Sequence, residues 1–304
     1  MTKKAICWFN GKFVDVAKAR ISPLDRGFLF GEGLFETWRT YRGQPYGLAD
    51  HLARMAGSAR QIGIPFDPSE PWEERSIELA RRNGMLHCDG AVRMTVTRGH
   101  GPVALLPSRT EEPTSLMLYR PLDPTLAVAR RDGVGIYLEN VGSGVSEKQR
   151  QIKSLNYLPA ILARREAAKQ NCFEAVYHTE GTGRGDRGTV LEGTTSNVFV
   201  VRRGEVWTAP ISAGLLPGVT RRKTLRLARK VTTVHEERFS VKDLMAADEV
   251  FLTASSIEVV PVVRVGRRHR IGDGRPGPVA REVHRLYRAE VMRKLGLGAG
   301  DFDD

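Results

Sequence analysis

The sequence predicts a two-domain α+β protein, with a small N-terminal α+β domain over residues 1–120, a linker over 121–133 and a larger C-terminal domain over 134–304. Three observations predict it. Strand-like alternation and helix-like periodicity occur together in each half. Pro121 and Pro124, followed by Arg130-Arg131-Asp132-Gly133, interrupt both patterns. The chain has 304 residues, 41% hydrophobic and 27% charged, which suits one large soluble domain or two modest ones.

The elements follow in order. Residues 4–16 read as a hairpin, because Ile6–Phe9 and Lys12–Val14 flank Asn10-Gly11, the strongest short hairpin turn signal. Leu34 to Tyr41 alternates as a strand. Asp50 to Ile62 has helix periodicity with Asp50 as its cap, and Trp72 to Asn83 is a second helix ending near Gly84. Ala91–Thr97 and Ser115–Tyr119 complete the strands of this half. Beyond the linker come a strand at Gly135–Val141, a helix at Leu158–Gln170, and strands at Glu174–His178, Val198–Val201 and Glu205–Thr208. A helix at Thr220–Lys230, strands at Asp248–Thr253 and Val259–Val265, and a closing helix at Val279–Leu295 finish the pattern.

Composition narrows the function. No run approaches the roughly 18 apolar residues of a membrane span. The N-terminus lacks an apolar stretch long enough for a signal peptide, so the cytoplasm is the expected compartment. Cys7, Cys88 and Cys172 are odd in number and far apart, so neither a disulfide framework nor a metal site is implied. The net charge of +12 raises a nucleic-acid reading. Against it, arginine is scattered along the chain, and the densest basic segment, Arg221–Lys230, has helical spacing with Leu225 and Ala228 or Leu227 facing inward, which reads as a solvated helix face. Anionic small molecules fit the charge as well.

Three stretches carry chemistry. Lys153 stands among Ile152, Leu155, Tyr157 and Leu158, where partial burial favours the neutral, nucleophilic amine that a Schiff-base lysine needs. Glu192 ends a strand before the turn-forming Thr194-Thr195-Ser196-Asn197, where a carboxylate can hydrogen-bond a protonated ring nitrogen or simply cap the turn. Pro217-Gly218-Val219-Thr220 precedes a helix whose N-terminal amides suit an anion. Gly31-Glu32-Gly33 lacks the preceding strand, third glycine and ribose acid of a dinucleotide loop. Arg184-Gly185-Asp186 lies in the glycine-dense Gly181–Gly188 stretch and reads as a hairpin turn, not an adhesion signal.

Taken together, these residues resemble the class IV, fold type IV, pyridoxal-phosphate aminotransferases, the group of branched-chain and D-amino-acid aminotransferases and aminodeoxychorismate lyases. The similarity runs from about Ile6 to Val265. It is carried by Lys153–Leu158, Glu192–Asn197 and Leu216–Arg221, with support from Asp25-Arg26-Gly27, Phe30–Glu36 and His51–Met55. The resemblance implies a larger domain built as a pseudo-barrel, an active site at the domain junction, and a homodimer whose other subunit closes that site with a loop. It implies pyridoxal 5'-phosphate as cofactor. Lys153 would hold the cofactor and shuttle the proton, Glu192 would pair with the pyridinium nitrogen, and Tyr157 would lie near the phenolic oxygen. Leu216 would pack against the ring, and Arg54, Val219, Thr220 and Ser255 would hold the phosphate.

The substrate is less legible. The lysine block most resembles D-amino-acid aminotransferases. Yet Thr97-Arg98-Gly99-His100-Gly101-Pro102-Val103-Ala104-Leu105 lacks their Arg-x-His pair and the lyase-like Arg-Gly-Tyr, and Ala91 replaces the tyrosine that branched-chain enzymes place two residues before the arginine. Period-two counting puts Phe35, Thr37 and Arg39 on one strand face and Arg93, Thr95 and Thr97 on another, so Arg39 and Arg93 are the substitutes nominated for the substrate carboxylate, with structural ion pairs as the alternative. A D-amino acid is the first expected donor and a branched-chain L-amino acid the second. Aminodeoxychorismate lyase is the rival chemistry, and a basic nucleic-acid-binding protein the rival class.

Overall fold

The computed structural model describes residues 5–107, 112–142, 150–181 and 188–302, and the chain divides into two units. The Gly181–Gly188 turn expected from sequence, Arg184–Asp186 included, falls largely outside the described residues. Among those residues no helix is long and apolar enough to cross a membrane.

The first unit holds the chain up to Asp123, Ile152–Asn156 and the residues from Leu295 onward. Its elements are β1 (Ile6–Phe9), β2 (Lys12–Asp15), α1 (Arg26–Phe30), β3 (Gly33–Tyr41), β4 (Gln44–Pro45), α2 (Leu48–Ile62), α3 (Trp72–Arg82), β5 (Gly90–Thr97) and β6 (Ser115–Pro121). The strands form one antiparallel sheet in the order β2-β1-β6-β5-β3-β4. Asn10 and Gly11 both take positive φ in the β1–β2 turn, as a two-residue hairpin of right-handed strands requires. Leu34, Trp38, Val92, Met94, Val96 and Met117 share one face and pack on Leu52, Met55 and Ala59 of α2 and Trp72 and Leu79 of α3. Trp38 donates its indole N–H to Ser76 at 3.0 Å, so burying it leaves no orphaned donor. Asp50 does not cap α2. The cap is Gly47, at φ 70°, and Asp50 sits in the first turn, where its charge still complements the helix dipole.

The sequence places 152–156 and 295–302 in the larger domain; the structure groups both with the first unit. Phe35 N–H donates to the Lys153 carbonyl and Leu155 N–H to the Gly33 carbonyl, at 3.0 and 3.1 Å, so the lysine segment occupies the edge of β3 that β4 leaves open. At the other end of β3, Phe302 meets Tyr41 edge-on, and Asp301 pairs with Arg42 at 2.8 Å.

The second unit contains α4 (Leu126–Asp132), β7 (Val134–Asn140), α5 (Leu158–Lys169), β8 (Glu174–Thr179), β9 (Thr189–Gly193), β10 (Asn197–Arg202), β11 (Glu205–Thr208), α6 (Val219–Ala228), β12 (Val234–Glu236), α7 (Val241–Met245), β13 (Glu249–Ala254), β14 (Glu258–Val265), β15 (His269–Arg270) and α8 (Pro278–Leu295). The expected linker is therefore not loop throughout: β6 runs to Pro121, and Leu126 and Ala129, one turn apart, bury the inner face of α4. The strand order is β12-β11-β10-β13-β14-β7-β8-β9, and β9 pairs back onto β10 through Glu192 and Asn197. Strands β10, β13, β14, β7, β8 and β9 thus close into a six-membered ring, the pseudo-barrel that the resemblance implies. Phe199 and Phe251 stack across β10 and β13 at 5.0 Å, beneath Leu225 and Ala228 of α6 and Ala280 and Val283 of α8.

The basic segment is not simply a solvated face. Leu225, Leu227 and Ala228 are buried, but so are Arg221 and Lys223. Arg221 donates to the Ala209 carbonyl at 2.8 Å and pairs with Glu236 at 3.0 Å, partners that sequence spacing does not reveal.

Phe251→Ala removes the centre of the outer core of the ring. It is expected to cost about 3–5 kcal/mol, measured as a fall in the midpoint of thermal or urea unfolding.

Candidate active site

Lys153 lies in a segment shaped by its neighbours. Ile152 packs on the sheet core, Ser154 bridges to Leu34, and two glycines make room. A Cβ at Gly33 would stand 2.7 Å from Leu155 Cδ1, and one at Gly31, already at φ 67°, would stand 2.3 Å from Asn156 Oδ1. Gly31-Glu32-Gly33 thus serves close approach of the lysine segment, not a dinucleotide. The half-buried Lys153 reaches back so that Nζ lies 4.5 Å from the Phe35 ring centroid. The neighbouring Asp25-Arg26-Gly27 motif anchors another loop: buried Arg26 pairs with Glu32 and donates to the carbonyls of Pro102, Ala104 and Leu105.

Beside Phe35, Glu36 points to the opposite face of β3, where it is buried. Its carboxylate takes both Nε and Nη2 of Arg54 and Nδ1 of His51, each at 2.7 Å. Burial alone would push the Glu36 carboxyl up, but the Arg54 charge and the hydrogen bonds from His51 and Arg54 outweigh it and hold the group at about 2. For His51 burial dominates and pushes the imidazole down; the Arg54 and Lys153 charges act the same way, and Glu36 opposes them. His51 is therefore a neutral donor at neutral pH. Arg54 is fixed by a two-nitrogen fork, which sets the direction of the whole guanidinium plane.

On the other face, Thr37 lies opposite Arg93, Phe35 opposite Thr95, and Arg39 opposite Ala91. Arg93 stacks on Phe35, its guanidinium carbon 3.6 Å from the ring centroid. Arg39, nominated for the substrate carboxylate, is instead buried in an ion pair with Asp89 and stacks on Tyr41. Asp89 lies 50 residues on, beyond any local pattern, and it already supplies Arg39 with a carboxylate.

In the second unit, Glu192 sits at the strand pair that closes the ring. It accepts from Asn197 Nδ2 at 3.2 Å and, through both oxygens, from the Leu216 N–H at 3.2 Å. Asn197 also donates to the Leu216 carbonyl at 3.4 Å. A Cβ on Gly218 would stand 2.0 Å from Asn197 Oδ1, so only glycine lets the chain pass from Leu216 into α6 here. At the start of α6, Val219 and Thr220 are buried, and the Thr220 hydroxyl lies 3.4 Å from that of Ser255. Tyr157 immediately precedes α5.

The polar turn after Glu192 depends on a residue sequence reading did not single out. Buried Glu174 accepts from the hydroxyls of Thr194, Thr195 and Ser196, at 2.5, 2.9 and 3.2 Å, and pairs with Arg164 at 3.0 Å. Burial, reinforced by the charges of Glu174, Glu139 and Glu192, raises nearby Tyr177 to about 12, which keeps its phenol protonated. Glu174 opens an ordinary alternating strand, and only its three hydroxyl partners twenty residues on mark it.

The amino-transferase class IV family profile matches residues 33–265. The chain belongs to this family. Over 298 residues it is 33% identical to a Methanocaldococcus jannaschii protein provisionally named a branched-chain-amino-acid aminotransferase, covering 97% of this chain and 99% of that one. It is 32% identical over 298 residues to the D-alanine aminotransferase of Staphylococcus epidermidis, covering 96% and 99%. Among solved structures, the branched-chain aminotransferase of the thermophilic archaeon Thermoproteus uzoniensis, with norvaline, superimposes with a TM-score of 0.82 at 27% identity, covering 96% of this chain and 96% of that one. Class IV relatives of both donor types thus match nearly end to end.

Because Glu36 titrates lower in the folded chain than its ordinary 4.5, its contribution to stability is complete above that pH and is lost as the pH falls toward about 2. Glu36→Gln is expected to cost about 3 kcal/mol at neutral pH. The gap from the parent, followed by urea unfolding, narrows on acidification through this window.

Proposed function

We propose that this class IV aminotransferase is a pyridoxal-phosphate enzyme that moves an amino group from an amino acid to a 2-oxo acid, with a D-amino acid as first donor. The observation that carries the reading is the Glu192–Asn197–Leu216–Gly218 arrangement. It holds a carboxylate for a ring nitrogen against the Leu216–Gly218 turn, which leads directly into hydroxyl and amide donors suited to a phosphate. A similar fold with the closely related pyridoxamine 5'-phosphate, in a branched-chain amino acid aminotransferase 28% identical to this chain, supports the same cofactor. Bound pyridoxal phosphate supplies an electron sink for the electrons left when a proton leaves the substrate Cα.

The rest is work for this chain's own residues. Lys153 Nζ is the primary amine that would hold the cofactor aldehyde, and as a free amine it would serve as the base for the substrate Cα proton. Glu192 keeps the ring nitrogen protonated; Asn197 and the Leu216 N–H fix the carboxylate for it. Arg54, steered by Glu36, and Val219, Thr220 and Ser255 hold the phosphate, while Leu216 and Tyr157 flank the ring. Arg93, with Phe35 and Thr37 on its face of the sheet, takes the substrate carboxylate; Arg39 supports that face from its pair with Asp89. The 2-oxo acid then enters where the first product left, giving ping-pong kinetics. The reading carries with it a cytoplasmic homodimer.

A D-amino acid stands first because the lysine block most resembles that of D-amino-acid aminotransferases, and D-alanine aminotransferases are among the full-length relatives. A branched-chain L-amino acid is the second reading, favoured by the archaeal relative and by the superimposed structures.

Purified protein with pyridoxal phosphate is expected to show a visible absorbance band that Lys153→Ala lacks, and D-alanine should bleach it. Bleaching by L-leucine alone would establish the branched-chain reading, and the absence of any band would remove the cofactor assignment. Arg93→Ala is expected to raise the apparent KM for the amino acid about tenfold or more with the band intact. An unchanged KM for every donor would exclude Arg93 from carboxylate binding.

A further inference from the structure

We infer that Glu258 is a positioning residue that fixes the Ser255 hydroxyl for an anionic ligand, and on the reading above that ligand is the phosphate of the cofactor. Strands β13 and β14 are joined by the three-residue loop Ser255-Ser256-Ile257, closed by the Ala254–Glu258 pair and by the Ile257 N–H donating to the Ala254 carbonyl at 3.2 Å. A loop of this length needs a left-handed residue at its exit, a place where glycine is the low-strain choice. Here the residue is Glu258, at φ 63°. A residue with a Cβ is strained in that conformation, so something must hold it there.

What holds it is charge. Glu258 is fully buried, and its carboxylate accepts from His284 Nε2 at 2.8 Å and from Nε and Nη2 of Arg288, each at 3.0 Å, with Arg130 Nη1 at 3.7 Å. These partners come from α4 and α8, so two helices grip the exit of one hairpin through a single carboxylate. The same hairpin carries Ser255, whose hydroxyl faces Thr220 Oγ1 at the N-terminus of α6. Among the residues named for the phosphate, Ser255 alone sits on a loop not fixed by its own helix, and Glu258 is what fixes it. None of the three basic partners has a part in the proposed reaction; the Glu258 cluster acts through the backbone of the loop.

The test compares the affinity of the full-length enzyme for pyridoxal phosphate with that for pyridoxal, which lacks the phosphate. Ser255→Ala is expected to weaken pyridoxal phosphate about tenfold and leave pyridoxal unchanged. Glu258→Gly keeps the backbone permitted and removes the carboxylate; it should show the same phosphate-selective loss. The double variant should be no weaker than Ser255→Ala alone. Glu258→Gln, which retains one oxygen for Arg288 and His284, should recover part of the affinity, and Arg288→Met, which leaves Glu258 in place, should lose affinity in the same selective way if the glycine variant does not fold. Equal losses for both ligands, or losses that add in the double variant, would reduce Glu258 to a structural residue and overturn the inference. Wild-type protein that binds neither ligand would instead remove the cofactor reading itself, and this inference with it.

Discussion

One strand pair carries the architecture of the second unit. Glu192 and Asn197 are partners in the single pairing that returns β9 to β10 and turns an open sheet into a ring. The same two side chains are joined by a hydrogen bond and share Leu216. Closing the ring and aiming the carboxylate are therefore one event. A ring that failed to close would leave Glu192 without Asn197, and an acid left unheld would remove the side-chain link across the closing pair. Gly218 belongs to this constraint, because the space a Cβ would need is taken by Asn197. Glu192, Asn197 and Leu216 are close in space because they meet at the pair that closes the ring.

The first unit solves a different problem, that of holding a charged side chain against a hydrophobic sheet. Glu36 alternates with Leu34 and Trp38 on the core face of β3, where an isolated carboxylate would be expensive. Arg54 and His51, three residues apart on one face of α2, compensate it. The arrangement fixes α2 on the sheet and gives Arg54 a direction that a solvent-exposed arginine lacks. A buried ion pair is weak support for stability in itself, but removing one member leaves the others uncompensated, so the cluster behaves as a unit.

Much of this was legible in the sequence, and what was not has a common cause. The Asn10-Gly11 hairpin, the alternation of β3 and β5 and the amphipathic faces of α2 and α3 are local patterns, and local patterns survive translation into structure. Lys153, Glu192 and the Gly218 turn stand out in the sequence because each lies in a short stretch of distinctive residue types. Long-range partners were not. Asp89 claims Arg39, Glu236 claims Arg221, and Glu174 gathers three hydroxyls twenty residues on; nothing local announces any of these. Prolines near 121–124 likewise mask that Leu126 and Ala129 bury a helix face. Chain order likewise gives no hint that 152–156 returns to the edge of β3.

Around Thr220 and Ser255, the second unit also separates the groups suited to an anion from the groups that hold the backbone. Thr220, Ser255 and the α6 amides are neutral donors, whose desolvation costs less than that of a formal charge. Formal charges sit one layer away: Glu258 with Arg130 and Arg288, to which His284 adds a hydrogen-bond contact, and Glu174 with Arg164. Charge pairs are directional and strong when buried, which suits them to fixing loops; beside a dianionic ligand, a carboxylate would repel it. Hydroxyls make weaker bonds, but their value depends on being already in place, and rigid loops provide that. On this division, altering a hydroxyl changes what the ligand touches, whereas altering a buried carboxylate changes where the hydroxyl stands. The strained backbone of Glu258 follows from the same logic, since glycine would suit the turn but could not be gripped by two helices.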